Sequence, residues 1–273
     1  MRLILLFLAF FVYTSFGAEI SINRTTFYTG DIGKVFIKNF QGKHRYQIVI
    51  KDKKIRLVFP VVSKVGYFGI PVFAGKKAKL YIKKDNKVVF AKTIFIKRKK
   101  YPISRITVKE RKLTKKLIKR IRRENKLLRR IFKVYTKKLF REKYMKKPLK
   151  KLVITTPFGA RRIINNKKRS IHWGTDFKGR LGEPIFASLS GRVVLARNLY
   201  YTGNTVVINH GLGLYTLYAH MSKINVKEGQ FVKAGQIIGK VGSTGRSTAP
   251  HLHFGVYIND VKVDPMLLLK KKL

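Results

Sequence analysis

The sequence predicts a mainly β protein: a small N-terminal β-sandwich-like domain, a long basic amphipathic helix, and a C-terminal all-β domain. Three observations predict it. Short β-rich runs separated by turn signals fill residues 19–100, a lysine-rich stretch with helical apolar spacing fills 101–151, and glycine-punctuated β-like runs return over 152–269.

Ahead of these elements, residues 1–18 have the layout of a secretory signal peptide. One positive charge at Arg2 precedes an apolar run from Leu3 to about Tyr13, and Ser15 and Gly17 are small residues before a cut near Ala18. The apolar run is shorter than the roughly 20 residues a spanning helix needs. An uncleaved anchor is the alternative. The expected location is outside the inner membrane, in a periplasm or cell envelope, with peripheral membrane association possible. The chain has no cysteine, so neither a disulfide nor a lipidated cysteine holds it.

Between residues 19 and 100, "KVFIKN", "RYQIVIKD", "IRLVFPVV", "AKLYIKKD" and "KVVFAKTIFIK" are rich in Val, Ile, Phe and Tyr, and several alternate apolar with polar. "YTGDIG", "FQGKH", "FAGKK" and "KKDNK" separate them as turns. Nothing here resembles catalytic machinery, and His44 reads as a solvated loop residue. In the next stretch, from Lys97 to Lys151, basic residues outnumber acidic ones by 26 to 3. Apolar positions at Leu113, Leu117, Ile121, Leu128, Ile131, Phe132, Tyr135 and Leu139 step by threes and fours, which predicts an amphipathic helix. "TVKE" at 107–110 fits a capping box near its start. Such a helix either packs its stripe on a neighbouring domain or docks on anionic lipid head groups or envelope polymers, and the two are compatible.

The whole-chain charge bears on partners. Sixty-two Lys and Arg face twelve Asp and Glu, a formal net charge of +50. Such a chain seeks polyanions. For an exported protein these are cell-wall and envelope polymers, not nucleic acid.

Five of the six histidines lie in the C-terminal domain. "HWGTD" places His172 and Asp176 four apart around a glycine, and a histidine with a carboxylate is an ordinary pair of zinc ligands. In "HLH", His251 and His253 project to one face of a strand while Leu252 projects to the other. Two imidazoles side by side pack a core poorly. They make sense if one binds a metal and the other acts on a substrate beside it. His220 ends the alternating run "LYTLYAH", and His210, before a Gly-x-Gly turn, reads as a turn or hydrogen-bonding residue.

The ordered combination of H-x-G-x-D, a Y-x-H segment and H-x-H resembles the M23 metallopeptidases, the LytM or lysostaphin-type endopeptidases that cut the peptide part of peptidoglycan. "TPFGARR", "GNTVVINHGLGLYTLYAHMS", "VKEGQFVKAGQIIGKVGSTGRSTAPHLHFGV" and "VDP" extend the resemblance over essentially all of 152–266. It implies an M23/LytM-type β catalytic domain with one Zn2+, held by His172, Asp176 and His253, and two catalytic histidines, His220 and His251. Either histidine could be the general base. Arg162 and Asn166, just before the metal motif, could line a groove for an anionic stem peptide or belong to a surface loop. The implied activity is hydrolysis of peptidoglycan cross-links or stem peptides by a zinc-activated water with histidine assistance. The alternative is a catalytically inactive LytM-type regulator of other wall hydrolases. The segment "VKEGQFVKAGQIIGKVG" also looks like part of a lipoyl or biotinyl carrier, but no convincing modifiable lysine accompanies it.

Overall fold

The computed structural model describes residues 19–106, 114–140, 142–166, 168–270 and 273. The signal-like segment and the tetrapeptide 107–110 lie outside the described residues. The described chain is mainly β, with one long helix, Lys115–Phe132, and a short one, Pro265–Leu269.

The N-terminal unit is a two-sheet sandwich. One sheet orders Ile20–Ile22, Ile32–Ile37 and Val65–Gly69; the other orders Thr26–Tyr28, Lys87–Lys97, Lys77–Lys84, Tyr46–Lys51 and Arg56–Val61. Alternation explains the inner face. In Lys77–Lys84 the residues Ala78, Leu80 and Ile82 are buried while Lys77 and Lys79 face water. Phe27 of one sheet meets Phe68 of the other edge-on, 5.3 Å between ring centres, and joins the two layers.

The expected helix over 101–151 is shorter than predicted. Ile103–Ile106 is a strand, paired in parallel with Arg161–Ile164. The helix begins after Thr114, whose Oγ1 accepts the Leu117 amide hydrogen bond at 3.3 Å, and ends at Phe132. Beyond it the chain runs as a belt over the C-terminal unit, with Leu212 N donating to Thr136 O and Leu139 N to His210 O. Tyr135 and Leu139 therefore keep the apolar period without being helical. The physical reason is competition. Tyr135 packs on the bare backbone of Gly213, where a Cβ would lie 2.5 Å from its ring, and this contact outweighs continuation of the helix.

The C-terminal unit is built on an eight-stranded sheet. Its main order is Ile154–Thr156, Thr175–Lys178, His251–Ile258, Leu214–Met221, Gly203–Gly211, Gly191–Leu199 and Phe231–Val232, with Val261–Val263 paired to His251–Ile258. Both faces of its centre are covered. Val206, Ile208, Tyr218, Leu252 and Phe254 enter the main core, while Val207, Tyr215, Leu217, Ala219 and Tyr257 meet the helix. Phe132 stacks on Tyr257, with ring centres 3.9 Å apart and planes 9° from parallel. All eight residues of Leu214–Met221 are accordingly buried. The N-terminal unit docks at the far end of this sheet, where Asp264 N donates to Gly30 O at 2.8 Å and Lys99 pairs with Asp264 at 2.7 Å.

Candidate metal centre

Strand register assembles the site. Thr175–Lys178 pairs antiparallel with His251–Ile258 so that Asp176 lies opposite His253 and Phe177 opposite Leu252. Directly opposed residues share a face. Phe177 and Leu252 therefore enter the core together, and Asp176, His253 and His251 emerge together on the other side. His172 precedes this strand. Its backbone is tied to the chain before it by Gly159 N donating to His172 O and His172 N to Ala160 O, both 2.8 Å.

Three donor atoms converge. His172 Nε2 and His253 Nδ1 lie 2.9 and 2.8 Å from Asp176 Oδ1, and 3.0 Å from each other. His172 Nδ1 faces the Pro157 carbonyl at 3.1 Å, so it carries the proton and leaves Nε2 as a lone-pair donor to the site. Two imidazoles and a carboxylate with one atom each aimed at a common point could hold a metal ion. This donor set fits zinc. Gly174 makes room for it: a Cβ there would meet His253 Nε2 and Cε1 at 2.7 Å and Phe254 O at 2.6 Å. The glycine between His172 and Asp176 is required by close approach.

Electrostatics favour the liganding forms. Burial would raise the Asp176 carboxyl, but the His172 and His253 rings beside it outweigh burial and hold it well below the usual carboxylate range. Burial pushes His253 down, against the pull of Asp176, and so favours neutral imidazole.

The other two histidines border this cluster. The His220 and His251 ring centres lie 4.7 Å apart, and the His220 ring is 6.0 Å from that of His253. His251 Nδ1 faces Ala249 O at 2.8 Å and His220 Nδ1 faces Thr244 O at 2.8 Å. Each carbonyl fixes a proton on Nδ1 and leaves Nε2 free. His251 Nε2 lies 3.8 Å from Asp176 Oδ1. Burial pushes His220 down to about 4, with the Thr244 hydrogen bond acting against it.

His220 reaches the site by an irregularity. Ala219 lies opposite His253, so regular alternation would send the next side chain to the core face. The left-handed φ of 63° at His220 breaks that alternation. Such a conformation costs a non-glycine residue about 1–3 kcal/mol and persists where the surroundings hold it. Here His220 N donates to Thr202 O at 2.8 Å while the ring is held by Thr244 O.

The structure thus brings together His172, Asp176, His253, His220 and His251. Arg162 and Asn166 lie on the hairpin that precedes His172. Arg162 lies on Arg161–Ile164 opposite Ser170, and Asn166 in the following turn with φ 56°. Among the described residues, neither bonds to the cluster. His210 is a buried strand residue, its Nδ1 3.0 Å from Ser190 O and its Nε2 2.8 Å from Thr216 Oγ1. Sequence reasoning missed Thr202 and Thr244, whose carbonyls anchor His220. They act through backbone atoms, which leave no side-chain signature.

Residues 170–265 match the model of peptidase family M23. The peptidoglycan DD-endopeptidase ShyA of Vibrio cholerae is 46% identical over 114 residues, covering 41% of this chain and 26% of that protein. Lysostaphin of Staphylococcus simulans is 46% identical over 106 residues, 37% of this chain and 22% of that one. A crystal structure from Pseudomonas aeruginosa, described as a candidate M23 peptidase, superposes with a TM-score of 0.65 at 26% identity, covering 90% of this chain and 96% of that one. The chain spans about a quarter of the length of the curated relatives it matches.

Proposed function

We propose, from the premise that residues 170–265 form an M23 peptidase domain, that this chain is an exported zinc metalloendopeptidase hydrolysing peptide bonds in peptidoglycan. One observation carries the reading: three donor atoms from His172, Asp176 and His253 converge beside two histidines whose Nδ1 atoms are already committed to carbonyls. Zinc, when bound there, supplies Lewis-acid polarisation of the scissile carbonyl and acidifies the attacking water.

The chain's own residues do the rest. His172, Asp176 and His253 would hold the ion. The free Nε2 of either His220 or His251 takes the proton from the attacking water and, once protonated, donates a hydrogen bond to the developing oxyanion and passes the proton to the leaving amine. The depressed His220 keeps its Nε2 an acceptor at neutral pH. No observation favours a metal-free regulator, since no donor of the set is missing.

The helix supports a second contact, with anionic envelope polymers. From Lys115 to Lys133 every exposed residue except Asn125 is Lys or Arg. The apolar stripe of the helix is already packed on the sheet, so it is not free to enter a bilayer. Among the described residues no helix is long and apolar enough to cross a membrane.

The test is release of muropeptides from purified sacculi of diaminopimelate type by protein loaded with zinc. Release that stops with chelator and returns with added zinc is expected. Undiminished release after verified removal of zinc refutes the metallopeptidase reading. No release by a chain holding stoichiometric zinc refutes activity on this wall.

A further inference from the structure

The acidic residue of the long helix sits on its sheet-facing side. The Glu124 side chain is 15% exposed. Its Oε1 pairs with Arg120 Nε at 2.7 Å, and its Oε2 accepts the Tyr200 backbone N–H at 2.8 Å. Arg120 reaches on to Asn198 Oδ1 at 3.2 Å. A charge-assisted bond to a backbone N–H is among the stronger hydrogen bonds a side chain makes.

Tyr200 opens the turn between Gly191–Leu199 and Gly203–Gly211. That turn anchors His220 twice. Thr202 O accepts the His220 amide at 2.8 Å. Gly203 and Asn204 hold Thr244: a Cβ on Gly203 would lie 2.3 Å from Thr244 Oγ1, and Asn204 N donates to that hydroxyl at 2.9 Å. Thr244 O in turn takes the His220 ring. The next residue's loop is pinned to the same turn by Arg246 N donating to Tyr201 O at 2.9 Å. Both anchors of a histidine with a left-handed backbone therefore rest on one turn, and Glu124 clamps its first residue.

We propose that Glu124 is a positioning residue for His220, through which the helix outside the matched peptidase domain sets the geometry of the site. The inference rests on the peptidase reading for its effect on turnover, and on the structure alone for its effect on the turn. The lone acid on a helix that otherwise exposes cations is placed where it grips backbone. Gln at this position keeps an oxygen acceptor for Tyr200 N; Leu removes it at similar size.

The experiment compares the full mature chain with Glu124→Leu and Glu124→Gln. Amide hydrogen exchange at His220 and Arg246, zinc content, and kcat and KM on cross-linked muropeptides are measured. Glu124→Leu is expected to quicken exchange at both amides at least tenfold, to keep one zinc per chain, and to lower kcat about tenfold with KM within twofold. Glu124→Gln is expected to stay within about threefold of wild type in exchange and kcat. Unchanged exchange in Glu124→Leu overturns the proposal whatever the activity. So does equal loss in both variants, or a kcat loss that tracks zinc loss. A wild-type chain that holds zinc without turnover refutes the peptidase reading, while the exchange comparison still decides the role of Glu124.

Discussion

Replacing Gly174 by Ala tests the metal centre where its packing is tightest. The backbone there is not in the left-handed region, so the penalty is steric alone. The added methyl meets Phe254 O at 2.6 Å and two atoms of the His253 ring at 2.7 Å, against ordinary contacts beyond 3.4 Å. Phe254 is paired with Thr175 in the sheet and cannot retreat. The His253 ring must move by about 0.7 Å, the gap between these separations and ordinary contact. Any such shift disturbs its contact with Asp176, which it now meets at 2.8 Å. Overpacking of this kind costs about 1–3 kcal/mol of stability. Displacing a ligand's support costs about 10–100-fold in metal affinity. The assay is zinc titration against a chromophoric competitor, with thermal unfolding of the metal-free chain. Gly42→Ala is the control, because its nearest neighbour lies 4.0 Å away, and it is expected to change stability by less than about 0.5 kcal/mol. Unchanged zinc affinity and stability in Gly174→Ala would refute the register that places His253 over Gly174.

Other outcomes follow from the same physics. Burial pushes His210 down to about 4 from its usual 6.5, so between those values the unfolded chain binds the extra proton and acidification destabilises the fold, by up to ~3 kcal/mol. Urea melts at several pH values should show stability falling from about pH 6.5 to 4, with a shallower fall in His210→Gln. Phe132→Ala removes the ring stacked on Tyr257 and should cost about 3–5 kcal/mol by denaturant unfolding. Binding to sacculi should weaken as salt rises through about 0.15 M, where the screening length is about 8 Å, and salt-independent sedimentation would count against the cationic helix as the contact.

Much of the site was legible because strand period is simple. His251 and His253 had to share a face, and Leu252 had to oppose them. The glycine of H-x-G-x-D signalled convergence. His220 was legible only through resemblance, since regular alternation would send its side chain the wrong way and its left-handed backbone is set by carbonyls of Thr202 and Thr244. The helix was legible in type but not in extent, because Tyr135 and Leu139 keep an apolar period while serving a belt held by His210 O and Thr136 O. The strand Ile103–Ile106 was missed in a stretch whose lysine content overshadowed its β-branched residues. Arg162 and Asn166 are suggested by nearness in sequence to His172, and the hairpin that carries them pairs Arg162 with Ser170, just before that histidine. Glu124 left no signal in one dimension, because its partner is the backbone of a turn 76 residues away.

Zinc content measured beside turnover in His251→Ala and His253→Ala separates the two roles within the H-x-H pair. His253→Ala is expected to lose both the metal and the release of muropeptides. His251→Ala is expected to keep one zinc per chain and to lose at least about a hundredfold in kcat. Loss of zinc from His251→Ala, or full turnover without that imidazole, would refute this division of labour.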